Sequence, residues 1–71
     1  MDWTGCDLVE PIPGRVPGLP SVRGTYIPAD DIVEYADQGV ALDEILEDFP
    51  SLTIEVVQAL LAFARAHRNA A

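Results

Sequence analysis

The sequence predicts a mainly α-helical fold, in which two short N-terminal strands are followed by three helices. Four prolines and two glycines between Pro11 and Pro20 exclude regular structure in that stretch. A short run before it and the run Val22–Ile27 after it, which is rich in β-branched residues, could form strands, and apolar residues recur at helical spacing after Pro28. We therefore divide the chain into an N-terminal segment, residues 1–28, and a three-helix unit, residues 29–71, which together form a single domain.

Two segments of the N-terminal part have the composition of strands. They are Cys6–Glu10 and Val22–Ile27, where Val, Thr, Tyr and Ile favour a pleated surface. A two-stranded ribbon is marginal by itself, so these strands need a helix layer or a partner chain to cover them. Pairing within one chain and pairing between two chains both fit the sequence.

The first two helices are predicted from their ends and their apolar spacing. The first covers about 29–38, because Pro28 suits a first turn and Gly39 is a natural residue to follow a helix. The second covers about 42–49, since Pro50 pushes the residue before it out of the helical region.

The third helix, at about 54–68, follows Thr53 as a good N-cap. Its apolar stripe is unusually broad, which indicates burial on more than one side. The stripe comprises Ile54, Val57, Leu61 and Ala64, widened by Val56, Leu60 and Phe63. In a chain of 71 residues the second side is expected to meet another subunit, so the sequence predicts a homodimer.

Charge is concentrated in the middle of the chain. The net charge is −8, from 12 acidic residues against four arginines and no lysine. Eight of the acids lie between Asp30 and Asp48, with no basic residue among them. DNA binding depends on Lys and Arg that neutralise phosphates, so this chain is expected to bind DNA only weakly or as part of a complex. A basic protein partner fits better.

No group of residues predicts catalysis, a cofactor or a metal site. Carboxylates on the polar faces of short helices are expected to be solvated, and general acid–base chemistry needs a desolvated cleft. One cysteine, Cys6, and one histidine, His67, fall short of the four ligands of a structural zinc site. We expect neither an enzyme nor a small-molecule substrate. Because no run approaches about 18 apolar residues and Met1–Thr4 lacks signal-peptide features, we expect a cytoplasmic protein without a membrane span.

The second and third helices have helix-turn-helix proportions, which keeps an alternative open. A small DNA-binding transcriptional regulator, acting as a dimer, would contact DNA through its last helix. The residues available for that contact are Thr53, Gln58, Arg65 and Arg68.

Two motifs resemble a bacterial family, domain of unknown function 433. The stretch Val22–Pro28 is similar to the family's I-R-G-T-R-I-P, and Glu44–Thr53 is similar to its E-E-I-L-E-D-Y-P-H-L-T. The resemblance covers residues 5–66. It implies a short β element, a homeodomain-like helix-turn-helix unit, frequent dimerisation, and an antitoxin role beside a PIN-like ribonuclease toxin.

That resemblance gives the leading hypothesis, a type II antitoxin that neutralises its toxin by protein–protein contact. Tyr26 departs from the arginine common in the family, which removes a positive charge beside Arg23. The residues that we expect to contact the partner are Arg23, Tyr26, Phe49, Val56 and Phe63.

Overall fold

The computed structural model describes residues 3–11 and 19–69, although not the side chains of the last two. Within these ranges a short antiparallel ribbon precedes three helices, which confirms the predicted class. The elements are β1 (Val9–Glu10), β2 (Ser21–Val22), α1 (Ala29–Asp37), α2 (Leu42–Asp48) and α3 (Ile54–Asn69). Most of the proline-rich stretch predicted as irregular, with Arg15, lies outside the described residues.

The two strands pair within one chain, with Val9 opposite Val22. Ser21 also bridges Pro28 on the other side of β2, so the first turn of α1 is attached to the ribbon. Both strands are much shorter than predicted. The proposed strand at Cys6–Glu10 is a turn up to residue 8 and is extended only at its end.

The proposed strand at Val22–Ile27 was wrong, because most of it folds back as a turn. The amide of Thr25 donates to the carbonyl of Val22 at 2.9 Å, and the amide of Val22 donates to the carbonyl of Ile27 at 2.8 Å. Gly24 sits in this turn at φ +81°, which its missing Cβ allows. The hydroxyl of Thr25 donates to Val22 at 2.8 Å and accepts the amide of Ile27 at 3.1 Å. This closed turn overrides the β propensity of its residues.

The helices begin and end within one residue of their predicted positions. Pro28, which the sequence predicted to suit the first turn, is instead the N-cap of α1 and lies one position before the helix. Gly39, at φ +87°, follows α1 in a Schellman arrangement, with Gly39 N–H bonded to Ala36 and Val40 N–H bonded to Tyr35. Before α3, the Thr53 hydroxyl accepts the amide of Val56 at 3.3 Å, which is the predicted N-cap.

The core lies between the three helices and the ribbon. Its largest fully buried apolar side chains come from all three helices, and the N-terminal segment adds further buried residues. The helical set is Ile32, Ile45, Val57 and Leu60, and the N-terminal set is Trp3, Val9 and Val22. Each helix therefore buries one face and exposes another.

Trp3 caps this core, a role that no sequence pattern indicated. Its indole N–H donates to an Asp30 carboxylate oxygen at 2.8 Å, and only 6% of the residue is exposed. Its ring stacks on Phe63 of α3, with the centroids 5.6 Å apart and the planes 13° apart. His67 stacks on Phe63 in turn, at 3.7 Å between centroids.

Candidate protein-interaction surface

The largest charged surface lies on α1 and α2. We call it the acidic surface, and it consists of exposed carboxylates from Asp31, Glu34, Asp37, Asp43, Glu44, Glu47 and Asp48. Both helices are amphipathic, because Ala29, Ile32 and Val33 of α1 and Ile45 of α2 take the buried positions. Neither helix has a basic residue in its last turn. No basic residue therefore stands among these acids in the sequence.

An aromatic pair lies at the junction of the same two helices. Tyr35 near the end of α1 and Phe49 directly after α2 place their ring centroids 5.4 Å apart, at 52°. Both residues are half-buried against the core and stand beside the acids Glu34 and Asp48 in the sequence. Phe49, a predicted contact residue, thus combines a structural contact with a partly accessible ring.

Two further predicted contact residues, Arg23 and Tyr26, lie in the N-terminal segment, on the turn after β2. Arg23 bonds the backbone of β1 and of the turn before it, with Nε donating to the Asp7 carbonyl at 2.9 Å and Nη2 to the Val9 carbonyl at 3.4 Å. Its Nη1 lies 3.5 Å from a carboxylate oxygen of Glu10, yet 60% of its side chain stays exposed. Tyr26, on the same turn, is 76% exposed. Arg23 therefore holds the ribbon together and still reaches solvent.

The remaining two predicted contact residues have roles inside the chain. Phe63 is half-buried between the rings of Trp3 and His67. Val56 is half-buried and packs against the core. Trp3 therefore covers part of the broad apolar surface of α3. From the sequence, this second side was expected to meet another subunit.

Two of the four alternative DNA-contact residues are exposed on α3, and a third precedes it. Gln58 and Arg65 are exposed, while Thr53 is exposed and uses its hydroxyl as the N-cap. Glu55 is exposed in the first turn of the same helix. The side chain of Arg68 lies outside the described residues. A carboxylate among so few cations makes this part of α3 unfavourable for phosphate.

Groups capable of metal or acid–base chemistry are not gathered into a site in the part of the chain that the structure describes. It contains no set of three or more His, Cys, Asp or Glu side chains placed to hold a metal ion. His67 faces Phe63, whose carbonyl oxygen lies 2.9 Å from Nδ1. Nor does any helix in residues 3–11 and 19–69 have the length and apolarity to cross a membrane.

A known protein family matches most of this chain. The family model described as "Protein of unknown function (DUF433)" matches residues 9–64. The chain belongs to this family. No curated protein and no solved structure matches the chain.

The DUF433 match coincides with the packed part of the fold. It begins at Val9, the first residue of β1, and ends at Ala64, a buried residue of α3. The acidic surface and the turn bearing Arg23 and Tyr26 fall inside it. Trp3 lies outside the matched residues, so the match does not imply that other members of the family have this cap.

Proposed function

We propose that this DUF433 protein is an antitoxin-like binding module, which neutralises a PIN-like ribonuclease by covering it through protein–protein contact. The observation that carries the proposal is the acidic surface: its exposed carboxylates cover α1 and α2, and no cation stands between Ala29 and Asp48. A ribonuclease handles a polyanionic substrate, so its substrate groove is expected to be basic. The two surfaces are complementary in charge.

The acids of α2 are only partly suited to the isolated helix, because the dipole favours Asp43 and Glu44 in the first turn but not the acids that follow. Asp43 and Glu47 stand four positions apart, as do Glu44 and Asp48, and like charges at that spacing repel. Glu47 and Asp48 also lie at the negative end of the helix dipole. Folding alone does not favour this arrangement, whereas a cationic partner would relieve both repulsions. The charges therefore support a binding role.

Affinity would come from apolar groups at the edges of the acidic surface. The pair of Tyr35 and Phe49 is partly accessible at the junction of α1 and α2. Tyr26 projects from a turn that is fixed by the Thr25 hydroxyl and needs no ordering on binding. Aromatic residues and arginine dominate binding energy at protein interfaces, while charges mainly speed association and set specificity.

The test measures both binding and inhibition of a PIN-like ribonuclease, chosen as one whose gene neighbours the gene for this chain. We expect a stoichiometric complex that abolishes RNA cleavage, with an association rate that falls steeply as salt rises. Glu44→Lys combined with Glu47→Lys should slow association at least several-fold. Asp7→Lys, which reverses an exposed acid outside α1 and α2, serves as the control and should have a much smaller effect.

Equal loss in both variants, or full cleavage activity at saturating protein, would refute the proposal. Specific binding of promoter DNA by the chain alone at moderate salt would favour the alternative, a helix-turn-helix regulator. That alternative is supported only by the exposed Gln58 and Arg65 on α3, and Glu55 beside them opposes it.

A further inference from the structure

The guanidinium group of Arg23 is bonded to its own chain through each of its nitrogens. Nε and Nη2 donate to the carbonyl oxygens of Asp7 and Val9, at 2.9 and 3.4 Å. Nη1 lies 3.5 Å from a carboxylate oxygen of Glu10. The backbone N–H of the same residue donates to the Leu8 carbonyl at 2.8 Å. Arg23 therefore links the turn after β2 to β1 and to the turn before it.

This link matters because the ribbon beneath it is short. Its strands contain two residues each, and a two-stranded ribbon is marginal by itself. Val22 and Ile27 hold the two ends of the turn, since the first is buried and the second packs against the core. Residues 23–26 between them are exposed or half-buried. The position of this part of the turn relative to β1 therefore depends on the bonds that Arg23 makes.

Tyr26 belongs to the same turn and is 76% exposed. Its neighbours Thr25 and Ile27 are both hydrogen-bonded to the backbone of Val22, so the chain around it is fixed relative to β2. Little packing surrounds a side chain of that exposure, and its direction follows the backbone that carries it. Tyrosine supplies a large contact area for few rotatable bonds, which suits it to protein interfaces.

We infer that Arg23 is a positioning residue, which holds the turn so that Tyr26 meets the ribonuclease and makes the contact itself. The inference rests on the proposed function and divides the roles of two residues that the sequence placed together at the interface. Arg23 has its nitrogens bonded within the chain and its charge partly offset by Glu10. A turn that is already ordered avoids the entropy cost of ordering it on binding.

The first experiment measures amide hydrogen exchange by NMR on the purified chain, without a ribonuclease. Arg23→Lys keeps the positive charge but replaces the planar fork with a single ammonium group. The amides of residue 23 and Thr25 should lose roughly 2- to 10-fold in protection factor, as expected for weakened hydrogen bonds. Those of Gly39 and Val40, which close the end of α1, should keep their protection.

Arg65→Lys makes the same replacement at an exposed arginine of α3 and serves as the control. It should leave all four amides as they are in the natural chain. Unchanged protection of residue 23 and Thr25 in Arg23→Lys would overturn the inference. An equal loss at all four amides would also overturn it, because Arg23 would then support the whole fold and not the turn.

The second experiment measures the dissociation constant of the complex with the PIN-like ribonuclease. Tyr26→Ala should weaken binding by roughly 5-fold or more. Arg23→Lys should weaken it by roughly 2- to 10-fold, through the cost of ordering the turn. The double variant should bind like Tyr26→Ala alone, because Arg23 acts through that ring.

Independent losses would contradict this positioning role. If the effects of Arg23→Lys and Tyr26→Ala multiply in the double variant, Arg23 contacts the partner itself. Arg65→Lys should bind like the natural chain. A natural chain that binds no such ribonuclease refutes the proposed function, whereas the exchange experiment still decides whether Arg23 holds the turn.

Discussion

Two hydroxyl groups beside the ribbon have opposite environments. The Ser21 hydroxyl is fully buried and has no hydrogen-bond partner among the described residues, whereas that of Thr25 makes two hydrogen bonds. A buried, unpaired hydroxyl costs about 1–3 kcal/mol. Ser21→Ala should therefore leave the free energy of unfolding unchanged or raise it by up to about 1 kcal/mol. Thr25→Ala should lower it by about 1–2 kcal/mol. Urea unfolding measures both, and a destabilised Ser21→Ala would show that this hydroxyl has a partner.

Gly24 is required by its backbone conformation and not by space. Its φ is +81°, and an added Cβ would meet no atom within 4 Å. Gly24→Ala should thus cost about 1–2 kcal/mol through backbone strain alone. Asn tolerates this conformation better, so Gly24→Asn should lose roughly half as much. The comparison uses the midpoints of urea unfolding. Equal losses in the two variants would instead indicate a steric or packing cause.

At the scale of single residues the sequence predicted caps well and long-range contacts poorly. Thr53 and Gly39 were identified correctly because capping depends on residues close in the chain. Trp3 was missed, since its partners Asp30 and Phe63 are distant in sequence and no periodicity marks it. Its one available signal was that it is the single tryptophan of the chain.

At the scale of the elements, α2 allows a direct test of how its helix dipole affects stability. Asp43 lies in its first turn and Asp48 at its end. Asp43→Lys and Asp48→Lys change the net charge equally and relieve the same kind of acid–acid repulsion. Because a cation stabilises only the C-terminal end, Asp48→Lys should be the more stable variant by roughly 0.5–1 kcal/mol at low ionic strength. Thermal unfolding at low and high salt measures the difference, which should shrink as salt screens it. Equal stability at low salt would contradict the dipole account.

The accuracy of the element boundaries follows from how local their causes are. Helices end where Gly39 and Pro50 end them, so their limits could be read from the sequence to within about one residue. The strand at Val22–Ile27 was predicted wrongly. Val, Thr and Ile have high strand propensity, but Gly24 and the Thr25 hydroxyl decide the conformation of this segment. Strand propensity describes a half-buried pleated surface and not a tight turn.

In the molecule as a whole, Trp3 connects the N-terminal segment to both α1 and α3. Trp3→Phe keeps the ring stack but loses the bond to Asp30, and should lower the free energy of unfolding by about 1–2 kcal/mol. Trp3→Ala also removes the buried ring and should lose about 3–5 kcal/mol, a large share of the stability of so small a domain. Urea unfolding monitored by circular dichroism measures both. If Trp3→Ala lost no more than Trp3→Phe, the stack would contribute nothing.

The acidic surface was the part of the candidate site that the sequence could predict. Clustered acids at helical spacing give a charged helix face whatever the packing, so Asp43 and Glu47 were expected to be exposed. The fate of Phe63 could not be predicted, because its cover comes from Trp3 in a segment without regular structure. Composition therefore predicted charge, and only the tertiary fold showed which apolar residues remain accessible.

The Trp3 cap also sets an order of events during synthesis. Trp3 is made long before Phe63, because translation of the residues between them takes roughly 3–12 seconds at rates of about 5–20 residues per second. Throughout that interval the Trp3 ring has no Phe63 to stack on. The cap can close only after α3 emerges, so the Trp3 segment is made before the helices but is secured after them.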